Sequence, residues 1–251
     1  MPGALGRLRA GGVRKKDVLP SPNIWHWPEV YELENEAQDV HGAIWDAVRQ
    51  ECDWGALDVV DVGCGDGYHL PRFASTANSV MGVEPHEPLL RRARERIAGL
   101  PGVAVLAGSA QRLPLPDSSA DLVHARTAYF FGPGCEPGIA EAERVLRPGG
   151  ALVIVDLDGS HEPYGRWLRA DLPSYDPAEI DQFFAGAGFS CRRVVARWRF
   201  ADVAGLRAVL GIEFSKTVAT RAFHELDGLE FDVGYRVHMR RKPTSLLPGR
   251  S

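Results

Sequence analysis

The stretch Asp61-Val62-Gly63-Cys64-Gly65-Asp66-Gly67 ends a β-branched run, Val59-Val60-Asp61-Val62, with glycine at every second position from 63. A strand that breaks into such a turn predicts an α/β fold, because glycine accepts backbone angles and close approaches that other residues resist. His69-Leu70 to Phe73-Ala74 reads as the following helix, whose start should offer unpaired N–H groups. In an open parallel sheet, ligands bind beyond the carboxyl ends of the strands, so this turn lies where a ligand is expected.

Outward from the turn, strand and helix patterns alternate. Ser79-Val80-Met81-Gly82-Val83 predicts strand two, and Pro88, Leu90, Ala93 and Ile97 predict a helix ended by Gly99. Val103-Ala104-Val105-Leu106 and Asp121-Leu122-Val123-His124-Ala125 predict strands three and four. A helix with Ile139, Ala142 and Leu146 on one face should stop at Pro148-Gly149-Gly150, before strand five at Ala151-Leu152-Val153-Ile154-Val155. Such alternation needs crossover connections, and nearly continuous apolar strands suit a parallel sheet covered on both faces.

Upstream, Val30, Leu33, Ala37, Val40, Ile44 and Val48 recur at spacings of three and four, the pattern of one amphipathic helix. Downstream of residue 158, about 18 residues without clear periodicity suggest a lid or binding loop. They precede the capping pattern Asp176-Pro177-Ala178-Glu179, whose helix should turn Ile180, Phe183 and Phe184 inward. Val194 to Phe200 and Leu229 to Met239 alternate as two further strands, one expected to be antiparallel, with Leu206 to Leu226 mostly helical between them.

The composition is that of a globular protein: 251 residues, 45% hydrophobic, with six tryptophans and ten phenylalanines. A net charge of -4 points to no polyanionic partner, so no nucleic acid is expected. Cys52, Cys64, Cys135 and Cys191 lie far apart with no CxxC pair, which indicates neither a metal site nor a disulfide framework and fits a reducing cytoplasm. No apolar run is long enough to span a membrane and no secretory pattern opens the chain, so a cytoplasmic protein without membrane insertion is expected. Residues 1–22 carry Arg7, Arg9, Arg14, Lys15 and Lys16 with no acid before Asp17 and read as a disordered basic tail, the alternative being a nucleic-acid or membrane arm. The expected layout is a helical cap over 23–56, a cofactor-binding core over 57–158, an acceptor loop over 159–175, helices and strands over 176–242, and a tail over 243–251.

Glu84 ends strand two about 20 residues after the turn, where a carboxylate can accept both hydroxyls of a ribose. The glycines are spaced G-x-G-x-G, whereas the dinucleotide fingerprint is G-x-G-x-x-G, so the ligand reads as a nucleoside rather than a pyrophosphate. With Val60-Asp61-Val62-Gly63-Cys64-Gly65-Asp66-Gly67 stand four more blocks: Gly82-Val83-Glu84-Pro85, Gly108-Ser109-Ala110-Gln111-Arg112-Leu113-Pro114, Pro116-Asp117 through Asp121-Leu122-Val123, and Glu143-Arg144-Val145-Leu146-Arg147-Pro148-Gly149-Gly150. As a set, over residues 57–156, they resemble the class I S-adenosylmethionine-dependent methyltransferases, in particular the small-molecule type 11 group.

That resemblance implies a Rossmann-like, doubly wound, seven-stranded sheet in a single domain, mostly parallel with the last strand antiparallel. It implies S-adenosyl-L-methionine as cofactor, with Gly63, Gly65 and Gly67 under its methionine moiety and Asp61 near its amino group. Glu84, with Pro85 beside it, would meet the ribose, and Ala110 and Gln111 would border the adenine. Ser109 stands where similar proteins commonly have an aspartate, and its hydroxyl can still accept from the adenine amino group. Cys64 occupies a position that takes small residues, and Arg126, ending strand four, could meet a carboxylate of the cofactor or acceptor or pair with a nearby acid.

The acceptor is less defined. Strand four continues as His124-Ala125-Arg126-Thr127-Ala128-Tyr129-Phe130-Phe131, not as the N/D-P-P-Y pattern tied to methylation of nucleobase amines, which favours a small-molecule hydroxyl or amine, natural-product or lipid-like. Tyr129, Phe130 and Phe131, with Trp25, Trp27 and Tyr31, could line an apolar pocket or serve as ordinary core aromatics. His161, His26 and Tyr129 are the candidate catalytic residues, imidazole being the side chain that titrates near neutral pH. His124, inside strand four, is expected to pack. Two other readings are aminopropyl transfer on the same scaffold, which would want acids that 124–131 lack, and a sensor or inactive partner that binds S-adenosylmethionine without turnover.

Overall fold

The computed structural model describes residues 18, 20–128 and 132–244. Seven strands, β1 (Asp58–Val62), β2 (Ser79–Glu84), β3 (Val103–Ala107), β4 (Ala120–Arg126), β5 (Leu146–Leu157), β6 (Ser190–Arg199) and β7 (Glu230–Arg241), form a sheet in the order β3-β2-β1-β4-β5-β7-β6. β1 pairs in parallel with β2 and β4, which sets Asp61 beside Gly82 on one side and His124 on the other. β7 runs antiparallel to β5: Gly149 N–H donates to Lys242 and Lys242 N–H to Gly150 at one end, and Asp158 N–H donates to Gly234 at the other. The doubly wound sheet with its antiparallel final strand is the architecture expected. Among the described residues no helix is long and apolar enough to cross a membrane.

The chain groups into two compact units. The first holds 48–155, 184–191 and the chain from 238. Its sheet is lined by Val59, Val60, Val62, Val80, Val83, Leu122, Val123, Val153 and Ile154, all fully or nearly fully buried. Phe73 of α3 (Leu70–Ala74), Leu89, Leu90 and Ala93 of α4 (Glu87–Arg96), and Ala142 and Val145 of α5 (Glu136–Val145) are buried too. Each buried Val, Leu, Ile or Phe among them contributes about 1.5–3 kcal/mol by leaving water.

Two arginines clamp this unit. Arg144 donates to both oxygens of Glu141, to the carbonyls of Leu113 and Leu115, and to Asp117. Arg147 bridges Asp58 at 2.9 Å and Asp121 at 2.8 Å, at the starts of β1 and β4.

The second unit holds residues up to 47, 156–183 and 192–237. Its core is aromatic: Tyr164 and Trp167 of α6 (Tyr164–Asp171) pack with Trp198, Phe214 and Phe231. Glu213, at the end of α8 (Val203–Glu213), is buried among them and accepts from Asn23 and the Tyr164 hydroxyl, which meets the need of a buried acid for donors. After α8 comes α9 (Lys216–Glu225).

Three local expectations are corrected. The N-terminal helix is two helices, α1 (Pro28–Ala37) and α2 (Ala43–Glu51). Asp39 and Gly42 between them adopt left-handed backbone angles, Asp39 accepts from Ile44 N–H at 2.9 Å, and Val40 is left exposed. The stretch 159–175 is not without structure, because α6 lies within it. Pro148-Gly149-Gly150 does not separate helix from strand: β5 begins at Leu146, and the glycines lie in the strand, paired with Lys242. The capping pattern at 176 does start a helix, α7 (Pro177–Gly186), with Asp176 accepting from Ala178 N–H, although Phe183 is only half-buried.

Candidate functional site

The turn after β1 uses its glycines for geometry. Gly63, Gly65 and Gly67 all have φ between 58° and 82°. That is the left-handed region, where a side chain is strained. A Cβ on Gly63 would lie 2.8 Å from that of Ala128, so the turn also meets the end of β4 closely. Four of its five amides donate within the protein. Gly63 and Cys64 N–H donate to Val83, Gly65 N–H to Glu84, Gly67 N–H to Cys64 and Tyr68 N–H to Asp66. A turn that grips a pyrophosphate does so with free N–H groups. This turn has spent four of its five on the protein, and α3 after it is only five residues long, with Leu70 N–H donating to Gly67 and Arg72 N–H to His69, so the expectation of unpaired donors at the helix start is not met at those residues.

Glu84 sits at the carboxyl end of β2, 4% exposed. One carboxylate oxygen accepts from Gly65 N–H at 3.0 Å and the other from His86 N–H at 2.9 Å, which leaves a lone pair on each for a diol. Burial pushes its pKa up to about 7 against the opposing pull of those two amides. Pro85 beside it is exposed. Cys64 is buried, with Sγ only 2.7 Å from where a Gly82 Cβ would be, so the glycine in β2 is what admits the thiol. Burial raises the thiol pKa well above its usual value, so Cys64 packs as a neutral group.

Asp61 is held by its neighbour in the sheet: His124 Nδ1 lies 2.7 Å from Asp61 Oδ1, both side chains are buried, and the imidazole packs edge-on to Phe73. His124 thus packs as expected and also orients Asp61. Asp66 is gripped by Arg96 at 3.0 Å. Ser109, Ala110 and Gln111 form a tight turn closed by paired backbone bonds between Ser109 and Arg112, with Ser109 and Ala110 half-buried and Gln111 exposed. Arg126 ends β4, half-buried.

His69 escaped the sequence reading as a candidate, although it follows the turn by two residues. Burial and then the Arg126 cation hold its pKa well below the usual imidazole value, so it is neutral at pH 7. Of the proposed bases, His161 and His26 lie in the second unit, His161 packed on Gly234 and His26 exposed with its ring edge-on to Trp27. Tyr129, Phe130 and Phe131 lie outside the described residues, while Trp25 and Tyr31 are half-buried and Trp27 is 43% exposed.

The 3-2-1-4-5-7-6 sheet, with a glycine turn after β1 and an acid ending β2, is the architecture of the class I S-adenosylmethionine-dependent methyltransferases, which this chain resembles. Residues 60–154 match the family described as "Methyltransferase domain". The chain is 27% identical over 188 residues to a Mycolicibacterium smegmatis protein whose name proposes S-adenosylmethionine-dependent methyl transfer, covering 72% of this chain and 70% of that one. It is 29% identical over 153 residues to the phthiotriol/phenolphthiotriol dimycocerosates methyltransferase of Mycobacterium tuberculosis, covering 60% and 56%. Other curated relatives are spanned over only 30%, 31% and 42% of their length. A SAM-dependent methyltransferase structure from Aquifex aeolicus superposes with a TM-score of 0.53 at 16% identity, covering 84% of this chain and 97% of that one, which shows a shared fold. The cofactor of the class is S-adenosylmethionine.

Proposed function

We propose that this protein transfers a methyl group from S-adenosylmethionine to a hydroxyl or amine of a small, natural-product or lipid-like molecule. The observation that carries the reading is the turn at 63–67. Four of its five amides are consumed by the protein while Glu84 keeps acceptor capacity for a diol, an arrangement suited to a nucleoside and ill suited to a dinucleotide. In this reading Gly63, Gly65 and Gly67 let the chain pass close under the methionine moiety, with Asp61, fixed by His124, near its amino group. Glu84 and Pro85 border the ribose and the Ser109-Ala110-Gln111 turn borders the adenine. Arg126 stands at the end of β4 to meet a carboxylate. The cofactor supplies an activated methyl on a sulfonium, so the chain has to hold an acceptor in line and manage one proton.

The lipid-like acceptor is supported by the named substrates of the mycobacterial relative, and a cytoplasmic setting by four cysteines that lie far apart in the sequence with no CxxC pair. We assign the cofactor core to 57–158 and the acceptor segment to 159–175, the latter carrying α6. His161 and His26 remain the proposed bases, with Tyr129 as a further candidate and neutral His69 added to them. Calorimetry tests the reading. S-adenosylmethionine and S-adenosylhomocysteine should bind and NAD should not, and a labelled methyl should pass to an acceptor. Binding of NAD alone overturns it, and cofactor binding without transfer to any acceptor makes the protein a sensor.

A further inference from the structure

The loop that follows β3 joins the acid assigned to the ribose to the turn assigned to the base, and all of it lies in the first unit. Ala107, the last residue of β3, pairs with Glu84, and Gly108 N–H donates to the Glu84 carbonyl at 3.3 Å. A Cβ on Gly108 would lie 2.6 Å from Pro114 and 2.9 Å from Val83, so glycine is what lets the two ends of the loop close against β2. At the tip, Arg112 N–H donates to Ser109 at 3.0 Å. The side chains of 109–112 are thus carried on a pinned loop that starts beside Glu84.

From 108 to 114 this loop carries no acid. Glu141, which meets it at Leu113, is committed: one oxygen accepts from Leu113 N–H and from Arg144, and the other accepts from Arg144. The polar side chains of the loop are Ser109, Gln111 and Arg112, and among the described residues none of the three makes a side-chain hydrogen bond or an ion pair. A hydroxyl donates or accepts, a primary amide does both, and a guanidinium only donates. A carboxylate only accepts, so it would select a purine with a 6-amino group and repel one with a 6-oxo oxygen.

We propose that Ser109 makes the base site indifferent to the group at the purine 6-position, so that the site takes a 6-oxo purine nucleoside as well as a 6-amino one. Toward adenine, Ser109 Oγ accepts from the 6-amino group. Toward hypoxanthine, the hydroxyl turns and donates to the 6-oxo oxygen. Gln111 and Arg112 at the same tip add donors, and neither is an obligate acceptor. The inference rests on the methyltransferase reading and names the purines that its nucleoside site holds.

Calorimetry on the full chain compares S-adenosylhomocysteine with S-inosylhomocysteine, which differ only in the 6-amino or 6-oxo form of the base. The native protein should bind the two within about tenfold of each other. Ser109→Asp should keep S-adenosylhomocysteine and weaken S-inosylhomocysteine by about tenfold or more, because a carboxylate then faces a carbonyl oxygen. Ser109→Ala removes donor and acceptor together and should weaken both ligands about three- to tenfold. Both variants should melt within about 2 °C of the native protein, since the Ser109 hydroxyl makes no bond in the fold. A native preference for S-adenosylhomocysteine beyond about tenfold, an aspartate variant that weakens both ligands alike, or an alanine variant that binds both as the native protein does overturns the inference. Failure of the native protein to bind S-adenosylhomocysteine overturns the methyltransferase reading instead.

Discussion

At the scale of single residues, Glu84 has a structural task beside the ribose contact proposed for it. Its position at the end of β2 marks it for a ribose, but the structure shows the same carboxylate holding the amides of Gly65 and His86. Its ordinary pKa of 4.5 is raised to about 7 in the fold. An acid raised in this way favours the folded state while protonated. Its ionisation erodes stability as pH climbs from 4.5 to 7, and the full cost, on the order of 3 kcal/mol, is present above that. Glu84→Gln should therefore flatten the pH dependence of the melting temperature between pH 5 and 7, and weaken S-adenosylhomocysteine at least tenfold at pH 8. In the native protein that affinity should rise by up to about tenfold from pH 6 to 8, as the carboxylate forms. Thermal melts and calorimetry across that range check both, and a flat native affinity profile would remove the ribose role.

At the scale of elements, the turn depends on a partner strand. Gly82 lies beneath Cys64, and an added Cβ would come within 2.7 Å of Sγ and 2.9 Å of Val105. Gly82→Ala should cost about 1–3 kcal/mol as an overpacked core position, and Cys64→Ala in the same chain should return part of it. Denaturant unfolding of the two single variants and the double variant measures the coupling, and simple additivity would show that the two positions do not touch.

The elements also show what a one-dimensional reading sees. β1 to β4 were legible as short, mostly apolar or β-branched runs bounded by turn residues, although the edge strand β3 is largely unburied, and the turn because its glycine spacing is unusual. The break between α1 and α2 was not, since Val40 continues the helical spacing although it ends up exposed at 37%, and the left-handed Asp39 carries no strong sequence mark. Pro148-Gly149-Gly150 reads as a stop until Lys242, far along the chain, pairs with it. α6 was hidden by glycine and proline around it, although Tyr164, Trp167 and Leu168 have helical spacing.

At the scale of the molecule, the blocks that carry the family resemblance divide by what they hold. In the proposed reading the glycine turn and Glu84 face the ligand, whereas Arg144 and Arg147 bind carboxylates and carbonyls of the protein at 113–121, 141 and Asp58. Two of the motif's most recognisable residues are thus rivets of the scaffold. A collection of inactive alleles would contain both kinds, and temperature should sort them. Arg147→Ala should bind S-adenosylhomocysteine nearly as well as the native protein at 15 °C and lose it on warming, with melting lowered by several degrees. Glu84→Ala should bind weakly at every temperature. If Arg147→Ala is equally defective in the cold, the arginine belongs with the ligand. Otherwise, Arg147 is in the sequence for the warmth the fold must withstand rather than for the chemistry it performs.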